Sequence, residues 1–496
     1  PTRQNSIGVL LMLLNNLRKA IGVFIPLIYF LGRDLDFSIF YIMLIIGIFL
    51  LVLVLFLSYS FIEYRNFLFY IQDGQFVLQQ GVLQRTRLSI PIERIQSIHL
   101  KQNIFHRIFN ITALEVDSAG SKSSELEIKA LSKPYARGLR DFLYEIKDEL
   151  LEAEKDPETE GIEEVVKPEP QKAKTLLKLS PKEVFLIGIS ENHIKTGFVA
   201  LAVIFGYGQQ LTQYVEDQVD EYVAESTNLI MQSGISLIVT LIIIFLLLSV
   251  LLSLIRTFLK FFNFEATTDS RGLKIRSGLL SIKEYQVPQN KIQTITWSSN
   301  PLRKLLGLRT IQIAQASSVA EDKNSLVEIP GCKAESIQTL YHDYFPETLG
   351  EASAHYKPDL FLRYRFILFK AFIPSIIFAA FGFFLHPWIY AVAVIWLVLG
   401  IIVSVKYYQT FLLRIYPEGL KISKGWIFPN TVDLKLFKVQ NVELTQSIFQ
   451  ERRDLATVVI HTASGSYEMP FLKKYYAHTL ANFLLYKIET SNKKWM

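Results

Sequence analysis

A cation and a glutamine, two residues apart, recur three times along this chain of 496 residues. The three pairs are Arg94 with Gln96, Lys291 with Gln293, and Lys438 with Gln440. A cation and an amide offer ion pairing and hydrogen bonding, so the repeated pair is a candidate interaction surface. In the alternative interpretation the glutamine satisfies backbone groups at an irregular strand, and the cation is solvated. The sequence favours this alternative, which makes the pair a determinant of the fold.

The other residues that could carry out catalysis are scattered. The eight histidines form no HExxH motif and no cluster with cysteine at metal-ligand spacing. The sequence has no Walker loop, no GxGxxG motif and no GxSxG elbow. Its single cysteine, Cys332, excludes an intramolecular disulfide and fits a reducing compartment. We therefore predict no catalytic residue, no metal site and no cofactor, and we expect a protein that is not an enzyme.

The repeated pairs belong to a longer internal repeat of about forty residues. Three stretches align without a gap when they are anchored on Gly81, Gly278 and Gly425. They read "GVLQRTRLSIPIERIQSIHLKQNIFHRIFNITALEVDSAG", "GLLSIKEYQVPQNKIQTITWSSNPLRKLLGLRTIQIAQAS" and "GWIFPNTVDLKLFKVQNVELTQSIFQERRDLATVVIHTAS". An apolar residue precedes each glutamine and another follows two positions after it, which breaks strict strand alternation. We therefore predict a bulge or tight turn at the small polar residue in between, which is Ser97, Thr294 or Asn441.

A second column of the repeat indicates a special backbone turn. It is occupied by Asn110, Gly307 and Asp454. These residue types tolerate a positive φ best. Strand-like patterns such as "IQIAQAS" follow, and each repeat closes with a helical stretch, for example "KKYYAHTLANFLLYKIET". Each repeat is therefore predicted to form several antiparallel strands capped by a C-terminal helix.

Long apolar runs predict an integral membrane protein. Half of the residues are hydrophobic, and the mean hydropathy is +0.27. Residues 37–62 and 226–255 contain no charged side chain. Each run exceeds the roughly 20 residues that a helix needs to cross a bilayer. The run 371–405 is long enough for two helices, which His386 and Pro387 would separate.

Two shorter apolar stretches, 20–31 and 197–207, precede the first two long runs. With them the sequence predicts three helical hairpins and six spans, although a short stretch could instead be interfacial or re-entrant. A cleaved secretory signal is the alternative for the N-terminal stretch, but four later apolar runs favour a retained span. Lys and Arg gather at the ends of the hairpins, whereas "QYVEDQVDEYVAES" in the second hairpin is acidic. The positive-inside rule therefore places both termini and all the large polar segments in the cytoplasm.

The predicted domains alternate between membrane hairpins and polar modules. They are hairpin 8–62, module 63–150, an acidic flexible linker 151–178, hairpin 179–260 with an external loop 209–233, module 261–345, a linker 346–364, hairpin 365–406 and module 407–490. The acidic linker should let the first module move relative to the second.

The repeat motifs resemble a known family. An "IPxxRIQSI"-like strand, a "PLRKLLGL" turn and a "TAS"-like strand end follow paired apolar runs. This combination is similar to the bacterial membrane-associated pleckstrin-homology-like (PH-like) domain family, and three copies resemble its three-repeat type. The third copy departs from the pattern, because Leu434-Lys435 replaces the proline and "QERRDLA" replaces the turn. The resemblance implies an α+β bacterial membrane protein with three hairpins. Each hairpin would be followed by a cytoplasmic, antiparallel β-barrel-like PH-type domain with a C-terminal helix.

The resemblance implies no catalytic activity. We expect a scaffold or sensor in the cytoplasmic membrane that binds protein partners or lipid headgroups in an envelope-related complex. Membrane lipids, a second membrane PH-like protein and an oligomer are the expected partners, and nucleic acid is not expected. A transporter or lipid-handling protein is the alternative, although the cores of the long spans lack the ionisable groups that usually mark ion routes.

Overall fold

The computed structural model describes residues 1–17, 39–118, 126–153, 174–212, 216–269, 272–315, 326–384 and 386–491. The chain divides into two compact units. Unit 1 contains Pro1–Ala173, Thr268–Arg276 and Leu280–Pro288, and unit 2 contains Lys174–Thr267, Ser277–Leu279 and Gln289–Met496. The predicted short span 20–31 lies outside the described residues, as does most of the predicted linker 151–178.

The first repeat, called module 1, forms two antiparallel sheets and a closing helix. Its elements are β1 (Thr2–Arg3), α1 (Gly8–Leu17), α2 (Ile39–Asn66), β2 (Leu68–Gln72), β3 (Gln75–Gln80), β4 (Thr86–Pro91), β5 (Ile95–Gln102), α3 (Ile104–Ile108), β6 (Ile111–Ser118), β7 (Leu126–Ser132) and α4 (Lys133–Ala153). The first sheet has the order β1-β2-β3-β4, and β5, β6 and β7 are neighbours in the second. Apolar side chains from both sheets meet Leu143 of α4 in one core.

The second repeat, module 2, has the same element order. Its elements are β8 (Lys174–Lys178), α5 (Pro181–Ile189), α6 (His193–Thr212), α7 (Glu216–Phe261), β9 (Glu265–Asp269), β10 (Gly272–Ser277), β11 (Ile282–Val287), β12 (Ile292–Ser298), α8 (Pro301–Leu305), β13 (Arg309–Gln315), β14 (Leu326–Cys332) and α9 (Ala334–Tyr344). Strands β12, β13 and β14 are consecutive antiparallel neighbours. Helix α5 begins at a capping box in which Ser180 and Glu183 satisfy each other's backbone amides.

The third repeat, module 3, follows the same plan. Its elements are β15 (Ala354–Tyr356), α10 (Leu360–Ile367), α11 (Ile373–Phe384), α12 (Ile389–Thr410), β16 (Leu412–Ile415), β17 (Gly419–Lys424), β18 (Asn430–Lys435), β19 (Val439–Thr445), α13 (Ile448–Glu451), β20 (Leu455–Thr462), β21 (Gly465–Lys473) and α14 (Lys474–Glu489). Five π-helical residues, Leu368–Phe372, join α10 to α11. The first sheet contains β15-β16-β17-β18, and the second contains β19-β20-β21.

Each module takes in one short strand that precedes its apolar helices. Thr2 pairs with Phe69 across the first sheet of module 1, and Ala354 pairs with Ile415 in module 3. The predicted modules began only after the apolar runs, so these strands add an N-terminal piece to them. The apolar helices consequently lie in sequence between the first and second strands of a module.

The anchor glycines of the repeat occupy a tight turn. Gly81, Gly278 and Gly425 have φ of 111°, 116° and 92°, a region that side chains with a Cβ rarely adopt. A Cβ on Gly81 would lie 2.0 Å from the carbonyl oxygen of Gln84, and one on Gly425 would lie 2.2 Å from that of Phe428. The turn therefore accepts no larger residue, which explains why a glycine can anchor the alignment.

Three helices within the described residues are long and apolar enough to cross a membrane. They are Val239–Phe261, Leu360–Phe384 and Ile389–Thr410. The latter two pack side by side, with the rings of Phe378 and Trp396 5.5 Å apart. The predicted external loop 209–233 is helical wherever the structure describes it, because α6 extends to Thr212 and α7 begins at Glu216. The stretch 216–231 has no glycine or proline to stop a helix, and acidic residues suit the first turn of α7.

Candidate functional site at the repeat junctions

Edge strands of consecutive modules pair with each other. In unit 1, β11 of module 2 is antiparallel to β5 of module 1, with Glu284 opposite Leu100. In unit 2, β18 of module 3 is antiparallel to β12 of module 2, with Thr431 opposite Trp297. The second sheet of one module thus continues into the first sheet of the next. Backbone pairing joins the two strands at each junction.

The two junctions have the same register. Glu284 and Thr431 both lie six residues after their anchor glycine, whereas Leu100 and Trp297 both lie nineteen residues after theirs. Because a slip of one residue would turn every side chain to the other face, a shared register means that both junctions present equivalent faces. The junction is therefore part of the repeat.

The repeated glutamines lie at an irregularity in the strand. The pairing shifts between Ile95 and Ser97, between Ile292 and Thr294, and between Val439 and Asn441, so each shift spans the glutamine. The side chain of Gln96 lies outside the described residues, Gln293 is completely buried, and Gln440 is exposed. The three glutamines therefore share a backbone geometry but not an environment.

The repeated cations end a single turn of 3-10 helix before the same strand. Arg94 is exposed and Lys291 is half-buried, so the structure does not bring the three cations into one kind of surface. Lys438 is only 2% exposed, and its ammonium donates a 2.6 Å hydrogen bond to the carbonyl oxygen of Asn290. Burial, together with the charges of Lys291 and Lys435, lowers the pKa of Lys438 to about 8. In the third repeat the cation is therefore a buried junction residue.

A buried acid fixes the first junction. Glu284 of β11 is 8% exposed, and its carboxylate lies 3.1 Å from the guanidinium of Arg137 and 3.7 Å from that of Arg140. Both arginines belong to α4, the closing helix of module 1. Arg276 of β10 lies 3.5 Å from the same carboxylate. Three cations around one acid compensate for its removal from water.

A second buried acid lies at the other junction. Asp433 of β18 is fully buried and accepts a hydrogen bond from the hydroxyl of Tyr341 on α9, the closing helix of module 2. The ammonium of Lys421 lies 3.2 Å from the other carboxylate oxygen. Burial raises the pKa of Asp433, and the charge of Lys421 and the bond from Tyr341 oppose that rise. At both junctions the closing helix of one module holds an acid of the next.

These acids were not among the candidate residues predicted from sequence. Glu284 lies in "IKEYQV" and Asp433 in "NTVDLK", and a single acid in a strand normally marks the solvated face. The usable signal was the strand that holds them, since both strands lie between the anchor glycine and the repeated glutamine. Their partners come from helices far away in sequence, which no local pattern indicates.

A further column of the repeat is polar and buried. His106, Arg303 and Gln450 occupy the same position of the repeat, within the short helix after the junction strand, and all three are buried. Arg303 donates to the carboxylate of Glu191 at 2.6 Å and to the hydroxyl of Ser190 at 3.1 Å. Those two residues form the break between α5 and the apolar helix α6. Arg303 thereby binds the strands of module 2 to the break between α5 and α6.

All three residues of the predicted turn column have a positive φ. The φ angles of Asn110, Gly307 and Asp454 are 52°, 67° and 53°.

Within the described ranges, no group of three or more His, Cys, Asp or Glu side chains is placed to hold a metal ion.

Comparison with known proteins supports the repeat. A family model described as a bacterial PH domain matches residues 22–147, 234–346 and 366–488, and each match contains one repeat. The UPF0699 transmembrane protein YdbT of Bacillus subtilis (strain 168) is 22% identical over 478 residues, which cover 94% of this chain and 94% of that protein. No solved structure matches the chain.

Proposed function

This chain belongs to the bacterial PH domain family, and on that premise we propose that it is a non-enzymatic membrane scaffold with three physically coupled PH-like modules. The observation that carries the proposal is the shared register of the two junctions. Modules that acted as separate binding domains would need only linkers, whereas continuous sheets hold neighbouring modules in a fixed order. Each closing helix strengthens that order by holding an acid of the following module.

The proposal includes three helical hairpins, six spans and cytoplasmic modules in the bacterial plasma membrane. Its support is the distribution of charge, since Lys and Arg flank the module ends of the apolar segments and the 209–233 stretch is acidic. The variant Gln218→Cys tests the orientation with a membrane-impermeant thiol reagent. We expect labelling in intact cells, and labelling only after permeabilisation contradicts the orientation.

The scaffold is proposed to bind protein partners or lipid headgroups in an envelope-related complex. Exposed Arg94 is the accessible member of the cation column, whereas Lys438 is already engaged at a junction. The double variant Arg94→Ala, Lys291→Ala should insert and accumulate normally while losing a bound partner. If it fails to accumulate, the column has a structural role only.

Purification in native lipid provides the central experiment. We expect a membrane protein to co-purify in a stoichiometric amount and to be lost from the variant Glu284→Lys, which places a fourth cation beside three arginines. Glu335→Lys, on the exposed side of α9, is the matched control and should retain the partner. Equal retention by both variants contradicts a role for the coupled modules.

Transport or lipid handling is the competing function, in which the modules would regulate or assemble a membrane pathway. Small residues at helix contacts show how closely the apolar helices pack, since a Cβ on Gly197 would lie 2.0 Å from the hydroxyl of Ser249. Flux of solute or lipid through purified, reconstituted protein would support transport and exclude the pure scaffold.

A further inference from the structure

Within the described residues, two strands lack the neighbour that their equivalents have at the internal junctions. Strand β19 is the outer strand of the sheet β19-β20-β21, and β4 is the outer strand of the sheet β1-β2-β3-β4. In the other modules the equivalents of β19 are β5 and β12, and each is paired with a strand of the next module. The equivalents of β4 are β11 and β18, which supply those partners. Module 1 therefore carries one half of the junction and module 3 carries the other half.

Side-chain exposure along β19 shows what the missing partner would cover. Gln293 and Thr294 of β12 are completely buried, whereas the equivalent Gln440 and Asn441 of β19 are exposed. Ile295 is also buried, and the equivalent Val442 is half-exposed. The same repeat positions are therefore buried on the paired strand β12 and open on the outer strand β19.

The edge of β4 has the complementary difference. At the sixth and eighth positions after the anchor glycine, module 2 carries Glu284 and Gln286, which are 8% and 7% exposed. Module 3 carries Thr431 and Asp433, which are also buried at its junction with module 2. In module 1 the corresponding residues are Arg87 and Ser89, and both are exposed.

We propose that β4 of a second copy of this chain pairs with β19, in the same antiparallel register as the two internal junctions. That register places Arg87 of the second copy opposite Leu444, because the equivalent pairs are Glu284 with Leu100 and Thr431 with Trp297. An edge strand presents a row of unpaired backbone groups, and pairing with an equivalent strand satisfies them. The inference deepens the proposed scaffold function by naming its partner.

The side chains around the two edges fit this pairing. In α4, Arg140 lies four positions after buried Ala136 and reaches the acid of the next module. In α9, Tyr341 lies four positions after buried Ile337 and also reaches the acid of the next module. In α14 the residue four positions after buried Ala477 is Ala481, which has neither a charge nor a hydroxyl. A second copy would bring no acid to this point, since β4 carries Arg87 and Ser89 there. Because β4 supplies no acid, Ala481 of α14 leaves no acid without a partner. Arg87 also faces no arginine at this position of α14.

A head-to-tail contact of this type joins two different surfaces of the same chain. Such heterologous contacts either close into rings or extend as filaments, depending on the rotation between copies. The assembly would consist of PH-like modules in series, with the internal junction repeated between chains.

Cysteine cross-linking between differently tagged chains tests the proposal in native membranes. One chain carries Arg87→Cys and the other carries Leu444→Cys. Opposite Cα atoms in an antiparallel pair lie about 4.5–5.5 Å apart, within the range that a disulfide spans. We expect mild oxidation to yield a dimer containing both tags. Cys332 is buried and burial raises the pKa of its thiol to about 12, so it should not react.

Matched variants separate this contact from random collision. Glu468→Cys replaces an exposed residue on β21, at the far edge of the same sheet, and should give no dimer with Arg87→Cys. Adding Val442→Asp to the Leu444→Cys chain should reduce the mixed dimer at least tenfold, because the column is buried at both internal junctions. An equal yield from Glu468→Cys contradicts the proposal.

The remaining outcomes identify other occupants. A disulfide formed only within a chain that carries both cysteines would show that one copy closes on itself, which overturns the proposal. Cross-linking of either cysteine to a different protein, with no mixed dimer, also overturns it and leaves the scaffold function standing. Solute flux in reconstituted membranes would instead refute the scaffold function, whatever the cross-links show.

Discussion

Removing one hydroxyl should loosen the junction between modules 2 and 3. The variant Tyr341→Phe keeps the buried ring but deletes the donor to the Asp433 carboxylate. A hydrogen bond to a charged, buried acceptor contributes about 1.5–3 kcal/mol. Asp433 is fully buried, and Lys421 is its remaining cationic neighbour at 3.2 Å, so water cannot replace the lost bond without opening the structure. We therefore expect the full effect to appear at this junction.

Hydrogen exchange measured by mass spectrometry on the protein in lipid nanodiscs resolves the effect by segment. Since about 1.4 kcal/mol corresponds to a tenfold change, amides of β12 and β18 should exchange roughly ten- to a hundredfold faster. Strands β5 and β11 of the first junction should be unchanged, because Tyr341 has no part in that junction. Tyr486→Phe, at an exposed tyrosine of α14, is the matched control.

Two results would refute the reasoning. One is a change of less than threefold in β12 and β18, which would mean that Tyr341 does not stabilise the acid. The other is equally faster exchange throughout the protein, which would mean that the hydroxyl supports the fold and not the junction. In a double-mutant cycle with Asp433→Asn, the two changes should be non-additive by about 0.5–3 kcal/mol, as expected for residues in direct contact.

Three further predictions concern the buried cation, the membrane helices and their attachment. Burial lowers the pKa of Lys438 to about 8, so between pH 8 and about 10.5 the unfolded chain binds more protons than the folded chain. The stability of this junction should therefore rise across that window, by about 3 kcal/mol at most. Denaturation series at several pH values should show this rise and its loss in Lys438→Met. Gly400→Leu should destabilise the packed helices by about 1–3 kcal/mol, because a Cβ added at Gly400 would lie 2.7 Å from the Cβ of Ala371. The control is Gly206→Leu, where an added Cβ would meet nothing within 4 Å, and its thermal unfolding should be unchanged. Arg303→Ala should leave Glu191 without its partner and speed proteolysis at the α5–α6 break, whereas Arg309→Ala, at an exposed arginine, should not; equal cleavage rates would contradict an attachment role.

The repeat and its strand chemistry could be predicted from sequence because they are local. An apolar pair out of phase by one residue indicates an irregular strand, and the pairing does shift across Gln96, Gln293 and Gln440. The family resemblance is confirmed by three matches to the bacterial PH domain model. Long uncharged runs likewise predict helices, and three within the described residues have the length and composition to cross a membrane. The remaining spans stay a prediction.

Pairing between repeats could not be predicted in the same way. Strand β5 and its partner β11 are separated by a whole membrane segment, and nothing in either strand's periodicity names the other. The short strands β1 and β15, of two and three residues, carry too little pattern to be seen at all. The acids were missed for a related reason. Glu284 and Asp433 look solvated in sequence, and only the arrival of α4 or α9 makes them buried partners.

The placement of the membrane helices inside each module has a consequence for biosynthesis. The ribosome makes β1 before the apolar segments, yet its partner β2 emerges only after them, and the same holds for β15 and β16. In the proposed topology of three hairpins, each sheet would close only when the intervening chain has returned to the side from which it left. A failed or inverted insertion would then leave a strand without its neighbour. Sheet closure would in that topology act as a checkpoint on insertion, passed once for each hairpin.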